Sequence, residues 1–447
     1  MNNQSPKPVF VFDRDRCVGC RACTVGCAIK NNTSPLLFWR NISTYNTAAH
    51  PFLPVYHLSV ACNHCAEAPC LKNCPAGAYS RDAITGAVLH DQDKCIGCRF
   101  CTWVCPYDAP KYEQTSGLIQ KCDFCHEDLL KGESPSCVAH CPTGALQLSD
   151  QENKPAGLPF QQYGTDPSLE ITGRQKQIVQ IISDDPDNTG EKHLPLERRK
   201  TPGKINLKEE WPLIIFTLTM AWVVGRYAAS VISPAHPIPF IDIALGWISL
   251  MLSGLHLGRK LRAPRAVVNI KNSPLSREIV ATTLFMVLLT MARVFLPASI
   301  VMNALTLFAA FAALLSVDLL YTAKPLKTAG YYHSGEVLTT AVLVTVVSLG
   351  NNQLILILLA LKLILFGMRY LLKVRNIKPE FGMLPSLRLW CLVLALMMIL
   401  YSPMNYRIVL LLVAGELIDR ILFYKELIIF TPQIQADQDV LSGIAGN

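Results

Sequence analysis

Two hydrophobic rhythms divide the chain. Up to residue 150, apolar positions come in short bursts broken by Pro, Gly, Asp and Lys, and the stretches KPVFVFDRDRC and GAVLHDQDKC read as short strands that run into cysteine-rich loops. From Trp211 onward the apolar runs lengthen, and about 18 residues with few charges mark a segment that can cross a bilayer. Residues 211–232, 240–257, 279–296, 300–320 and 354–372 are clear spans of this kind. Residues 337–349, 389–401 and 408–424 are shorter or interrupted, and they complete an even alternation. The expectation is an all-α polytopic membrane domain of eight transmembrane helices over 211–430. Residues 151–210, rich in Pro, Asp, Asn, Gln and Lys, read as a tail and linker with little periodicity except near Ile178 to Ile182. Residues 431–447 read as a C-terminal tail.

Composition sharpens the division. The chain has 447 residues and is 51% hydrophobic, yet sixteen of its seventeen cysteines lie between Cys17 and Cys141. The remaining one, Cys391, sits inside LRLWCLVLALMMILY, where a lone thiol is a small buried apolar residue. The net charge of +8 gathers in short loops between apolar runs. That distribution suits membrane orientation and gives no basic face for nucleic acid. The opening MNNQSPKPVFVFDRDRC has no apolar core and no twin-arginine pair, so the thiols are expected to begin in a reducing cytosol. There a cysteine-dense segment binds metal more readily than it forms disulfides.

The sixteen thiols fall into four groups of four. Cys17, Cys20, Cys23 and Cys27 follow C-x2-C-x2-C-x3-C, and Cys95, Cys98, Cys101 and Cys105 repeat it, with Pro106 next. Cys62, Cys65, Cys70 and Cys74 end in Pro75, and Cys122, Cys125, Cys137 and Cys141 end in Pro142. A 4Fe-4S cube needs four thiolates; one tight loop supplies three, and in two-cluster ferredoxins the last cysteine of each run ligates the other cluster. Sixteen thiolates make four cubes, and the expected fold for 1–150 is an α+β domain of two ferredoxin-like units. Zinc knuckles favour two C-x2-C pairs with a longer spacer, not three cysteines in seven residues. Cysteines two residues apart seldom reach disulfide geometry.

The runs ACNHCAEAPCLKNCP, KCIGCRFCTWVCPYDAPKY and KCDFCHEDLLKGESPSCVAHCPTGAL resemble the four-cluster iron-sulfur subunit of the dimethyl sulfoxide reductase family of molybdenum enzymes. The resemblance covers roughly residues 5 to 150. It implies that the first group shares two clusters with the fourth, and the second with the third, the latter pair lying nearer the membrane. Some relatives have tryptophan at the third cysteine of the third group and a 3Fe-4S cluster; this chain keeps Cys101, which implies 4Fe-4S throughout.

In the second half, KEEWPLIIFT, LHLGRKLRAPRAVVNIKNSPLSREI and RIVLLLVAGELIDRILFY resemble the eight-helix anchor subunit that partners that iron-sulfur subunit. The chain then looks like a fusion of two subunits, with a molybdopterin-containing catalytic subunit supplied separately. Such anchors oxidise menaquinol without haem, so the expected function is electron transfer from menaquinol through four 4Fe-4S clusters to that partner. Ionisable residues within a bilayer are functional candidates by default. If eight helices alternate, His256, Glu278, Asp318, His333, Glu336, Glu416, Asp419 and Arg420 fall toward the face carrying the iron-sulfur domain. His256 and Glu278 match the family's quinol-site residues; Glu416 and Arg420 are further quinol-binding candidates, or else an i, i+4 ion pair. Arg226, Lys362 and Arg369 carry no assigned role.

Arg259, Lys260, Arg262, Arg265, Lys271, Arg277, Lys324, Lys327, Lys373, Arg375, Lys378 and Arg388 are expected in loops on the iron-sulfur face, against Arg407 opposite. The positive-inside rule then places that domain on the cytoplasmic side of a bacterial inner membrane. A redox-driven transporter fused to a ferredoxin module is the alternative. It would need paired broken helices at mid-membrane, and the spans lack a convincing inverted pair.

Overall fold

The computed structural model describes residues 7–34, 37–46, 55–149, 164–173, 207–235, 237–296, 299–322, 333–371, 382–401, 405–427 and 431–433. The chain divides into two compact units, Met1–Pro202 with Ile429–Asn447, and Gly203–Ile428.

The first unit runs β1 (Val9–Asp13), α1 (Ala22–Lys30), β2 (Asn41–Tyr45), β3 (Tyr56–Val60), α2 (Pro69–Asn73), β4 (Tyr79–Arg81), β5 (Val88–His90), α3 (Phe100–Val104), β6 (Lys111–Glu113), β7 (Leu118–Gln120), α4 (His126–Leu130), α5 (Ser136–Ala139), β8 (Leu146–Ser149) and β9 (Leu169–Thr172). The two strands expected from sequence are β1 and β5, each feeding a cysteine loop. β1 is central to its sheet, antiparallel to β8 (Phe12 opposite Leu146) and parallel to β9 (Phe10 opposite Leu169). The other strands form the hairpins β2–β3, β4–β5 and β6–β7.

β9 falls inside the stretch that reads as linker; four residues of LEIT carry too little pattern to announce a strand, and it forms on the open edge of β1. The weak periodicity near Ile178 to Ile182 lies outside the described residues. At the far end of the sequence, the Gln433 carboxamide pairs with the Thr44 backbone at both ends, Thr44 N donating to Oε1 (3.1 Å) and Nε2 donating to the Thr44 carbonyl (3.1 Å). Phe10, Phe12, Ile119, Phe124 and Leu146 form the core together with most of the cysteines, so the thiols are part of the packing.

The second unit contains, among the described residues, eight α-helices: α6 (Leu207–Ile232), α7 (Phe240–Ser253), α8 (Pro274–Val294), α9 (Ile300–Leu320), α10 (Val337–Leu349), α11 (Asn352–Leu371), α12 (Met383–Tyr401) and α13 (Tyr406–Glu426). Four stretches, Glu209–Ile232, Pro274–Val294, Ile300–Leu320 and Met383–Tyr401, are long and apolar enough to cross a membrane. The segment Phe240–His256 is apolar too, but the backbone turns by 106° into a 3-10 stretch, Lys260–Val267. Val337–Leu349 and Asn352–Met368 are shorter apolar helices, and α13 carries Glu416, Asp419 and Arg420 within its length. Length and composition thus mark four or five spans, where the apolar pattern led to an expectation of eight.

The helix starts follow capping chemistry. The Ser273 hydroxyl accepts from Ser276 N ahead of α8, Ser299 from Met302 N ahead of α9, and Asn405 from Arg407 N and Ile408 N ahead of α13. Small residues let helices approach closely. A Cβ on Gly225 would strike the Ala341 carbonyl of α10, and one on Gly246 the Met286 side chain of α8. Outward positions stay apolar, with Ile300 84% and Phe308 73% exposed, a surface that water penalises and lipid accepts.

Candidate functional site

The first and third cysteine groups share one backbone design. Each loop reads C-x-G-C-R-x-C, with the glycine left-handed (Gly19 φ 69°, Gly97 φ 70°) and the arginine left-handed just before the helix (Arg21 φ 63°, Arg99 φ 58°). At Gly19 any larger residue would be strained, and its Cβ would also meet the His57 ring. The loop therefore curls around a centre, turning its thiols to one side.

The thiols assemble across groups. Cys62, Cys65 and Cys70 line one cavity together with Cys105, and Cys95, Cys98 and Cys101 line another together with Cys74. Electrostatic neighbourhoods extend the pattern: Cys17 faces Cys20, Cys23 and Cys141, while Cys27 faces Cys125 and Cys137, and Cys122 faces Cys27, Cys62 and Cys137. Two four-thiol cavities thus cross the second group with the third, and the neighbourhoods of Cys17 and Cys27 mix the first group with the fourth.

The sets are too open for a single ion. Zn–S bonds of about 2.3 Å would bring four sulfurs to about 3.8 Å from one another. Among the described residues no three His, Cys, Asp or Glu side chains converge to hold one metal ion. Backbone amides aim at the sulfurs, with Gly97 N on Cys95 (3.4 Å), Phe124 N on Cys122 (3.4 Å), Ala78 N on Cys74 (3.3 Å) and Leu146 N on Cys141 (3.4 Å). Such donors favour thiolate.

Burial opposes it. It pushes the Cys125 thiol up to about 11 and Cys27 up to about 12, and raises Cys65, Cys70, Cys98, Cys101 and Cys122 as well. At Cys141 burial also pushes upward, but the Leu146 amide and the Thr143 hydroxyl outweigh it and lower the thiol. Bare thiolates in these sets are therefore costly, and a cationic iron core that binds them displaces their protons.

One residue beside the thiols escaped sequence reading. Arg40 is 2% exposed, its NH1 donates to Ser59 Oγ (3.1 Å), and its Nε and NH2 are buried without a hydrogen-bond partner among the described residues. Its charge acts on Cys137, Cys122, Cys23 and Cys27. A buried guanidinium with donors left over suits an anionic group held by those thiols, as a cube with four thiolates is. Nothing around Arg40 in the sequence signals this.

The helical unit holds a second concentration of polar groups. Glu416 of α13 accepts from Lys362 Nζ of α11 at 2.6 Å, from Thr340 Oγ1 of α10 at 2.5 Å, and from Arg388 NH2 of α12 at 2.9 Å. The same Arg388 nitrogen reaches Asp419 Oδ2 (3.2 Å), whose other oxygen accepts from Ser334 Oγ (2.9 Å). Glu416 and Arg420 therefore do not form the i, i+4 pair considered from spacing. Arg420 instead donates to Thr217 Oγ1 (3.0 Å) and the Gly335 carbonyl (3.1 Å), and lies over the rings of Tyr321, Phe423 and Tyr424. Arg388, expected in a basic loop, is 1% exposed inside α12, because two carboxylates on α13 draw it in. Lys324, Lys327, Lys373, Arg375 and Lys378 lie outside the described residues, as does the side chain of Arg369. Arg226 pairs with Asp242 (3.2 Å).

Glu278, buried in the second turn of α8, lies within electrostatic reach of Arg420 and Asp318. The Asp318 carboxylate accepts from the Val337 and Leu338 amides, capping α10 (3.0 and 3.1 Å). His256 is half-buried beyond α7, with Nδ1 against the Ser253 carbonyl. His333 accepts from the Gly335 amide (2.9 Å) and lies 4.0 Å from Asp419. Below Glu416 and Thr340 an apolar slot of about 270 Å³ runs between α6, α7, α10 and α13, lined by Leu218, Trp222, Leu343, Val344 and Leu412 among others.

The crossed thiol sets, with amides directed at sulfur, define a ferredoxin-type iron-sulfur protein. The family described as 4Fe-4S dicluster domain matches residues 53–151. The B subunit of anaerobic dimethyl sulfoxide reductase from Escherichia coli is 39% identical over 147 residues, 31% of this chain and 71% of that protein. The corresponding Haemophilus influenzae subunit is 37% identical over 169 residues, 36% of this chain and 80% of that protein. The electron transfer subunit of Salmonella typhi thiosulfate reductase is 38% identical over 152 residues, 33% of this chain and 78% of that protein. This polypeptide belongs to the iron-sulfur subunit family that includes the B subunit of dimethyl sulfoxide reductase, and is an electron-transfer part of an oxidoreductase.

Proposed function

We propose that this chain is a membrane-anchored electron-transfer subunit that oxidises menaquinol and delivers electrons to a separate molybdopterin-containing catalytic subunit in anaerobic respiration or oxyanion reduction. The observation that carries the reading is the joining, in one polypeptide, of four crossed thiol sets to an apolar helical unit with a buried ionisable network. Cys17, Cys20, Cys23 and Cys141 hold one 4Fe-4S cluster; Cys27, Cys122, Cys125 and Cys137 a second; Cys62, Cys65, Cys70 and Cys105 a third; and Cys74, Cys95, Cys98 and Cys101 a fourth. When bound, the clusters accept and pass single electrons. The eight helices all span, α10, α11 and α13 using buried polar contacts to make up for their short or interrupted apolar runs. The anchor domain is 211–430, after the iron-sulfur domain of 1–150 and the linker of 151–210.

Quinol oxidation releases two protons, and the protein must take them from the head group. His256 and Glu278 are the acceptors, a neutral imidazole at the end of the turn after α7 and a buried carboxylate near the start of α8. Arg420 beside Glu278 offers a positive charge and a set of aromatic rings against which a flat ring can lie. The slot below Glu416 takes the isoprenoid tail: Thr340 and Ser348, both in its lining, lie eight positions apart on α10, about 12 Å along the wall. The basic residues of the 3-10 stretch after α7 favour a cytoplasmic iron-sulfur face at a bacterial inner membrane.

The test is anaerobic purification with metal analysis and quinol-driven reduction. About sixteen iron and sixteen sulfide per polypeptide are expected. His256→Ala and Glu278→Gln should keep that content while menaquinol-driven cluster reduction slows by about tenfold or more, the usual cost of a positioned proton acceptor. Zinc without sulfide overturns the clusters; unchanged quinol kinetics in both variants overturns the quinol site.

A further inference from the structure

Arg40 is a charge placed where charge is expensive. It follows no cysteine motif and sits immediately before β2, yet it is buried at the centre of the first unit. Among the described residues no carboxylate pairs with it, and arginine does not shed its proton to escape the cost. Its position is held on two sides: NH1 donates to Ser59 Oγ (3.1 Å), and its guanidinium carbon lies 4.6 Å from the centroid of the Phe10 ring. Ser59 in turn has its Oγ 3.5 Å from Cys23 Sγ. Nε and NH2 are buried and have no hydrogen-bond partner among the described residues. Three of the four thiols on which the charge acts, Cys137, Cys122 and Cys27, belong to one set, and the fourth, Cys23, to the neighbouring set.

We infer that Arg40 is a positioning residue for electron transfer: its fixed, buried charge raises the reduction potential of the cluster held by Cys27, Cys122, Cys125 and Cys137. The inference rests on the cluster assignment proposed above. Reduction of a cube adds one negative charge to a centre that is already anionic, so a nearby cation in a low-dielectric setting favours the reduced form over the oxidised one. Lys121, also buried, bonds the Val88 and Cys122 carbonyls, so its donors are committed to backbone whereas those of Arg40 are not. The thiol neighbours described for the pair of sets built from the second and third cysteine groups include Lys121 beside Cys70 but no arginine, so that pair keeps its own cation when Arg40 is replaced and serves as the comparison.

The experiment is a redox titration of the full chain followed by electron paramagnetic resonance, alongside iron and sulfide analysis. In Arg40→Gln the signal that Cys125→Ser abolishes should titrate lower, its reduced-to-oxidised ratio at fixed poise falling about tenfold, which is 59 mV for one electron. Arg40→Lys keeps the charge and should recover most of the shift. The signals abolished by Cys65→Ser or Cys98→Ser should stay in place. A full complement of iron with an unmoved midpoint in Arg40→Gln overturns the inference, as does a lysine variant shifted as far as the glutamine one. Should Arg40→Gln fail to retain iron, Ser59→Ala decides: it releases the guanidinium from its anchor, and a shift of that same signal supports the role while an unmoved midpoint overturns it. Absence of iron and sulfide from the unaltered protein would instead overturn the cluster assignment itself.

Discussion

Replacing Arg388 by methionine tests the idea that the helical unit is held by charge balance. Lys362, Arg388, Glu416 and Asp419 are each 5% exposed or less, and they carry two positive and two negative charges within one hydrogen-bonded set. Arg388→Met takes its guanidinium away from both Glu416 and Asp419 and leaves the set of four with one net negative charge. Removing one partner of a buried pair costs about 3–5 kcal/mol, because the other charge stays buried and uncompensated. Adding Asp419→Asn restores neutrality while Glu416 keeps Lys362 and Thr340, so the double variant should recover about 2 kcal/mol, within the usual range of coupling between touching groups.

The assay is chemical unfolding of the full chain in mild detergent, followed by tryptophan fluorescence, for both single variants and the double. A double variant whose loss equals the sum of the two single losses would refute the reasoning. So would an Arg388→Met loss below about 1 kcal/mol, a figure typical of exposed pairs.

Gly415→Ala should mimic part of that loss, since a Cβ there collides with the Arg388 guanidinium; unfolding under the same conditions checks it. Val344→Trp, which fills the slot beside Glu416, should raise KM for long-tailed menaquinol relative to a tail-less naphthoquinol by about tenfold, as expected when several buried CH2 groups lose their place; an unchanged ratio rules the slot out. The crossed sets predict that Cys74→Ser removes the same resonance signal as Cys98→Ser, and Cys105→Ser the same signal as Cys65→Ser; a Cys74→Ser spectrum matching that of Cys65→Ser would show uncrossed pairing. A periplasmic phosphatase fused after Asn447 should be inactive, and an active fusion would reverse the cytoplasmic orientation.

Much of the first unit was legible because iron-sulfur ligation leaves a local signature. The C-x2-C-x2-C-x3-C spacing and the short strands β1 and β5 are properties of ten or so consecutive residues. The apolar runs likewise located eight helices, since length and hydropathy are summed along the sequence. What spacing could not decide is anything that depends on a distant partner. β9 exists because β1 has a free edge, and Arg40 matters because β2 brings it among thiols from both ends of the domain. Glu416 and Arg420 look like one pair at i, i+4, yet Glu416 is taken by Lys362 and Arg388 from other helices, and Arg420 by Thr217 and three rings. A buried charge seeks whichever opposite charge the packing supplies, and only the tertiary structure determines which one is in reach.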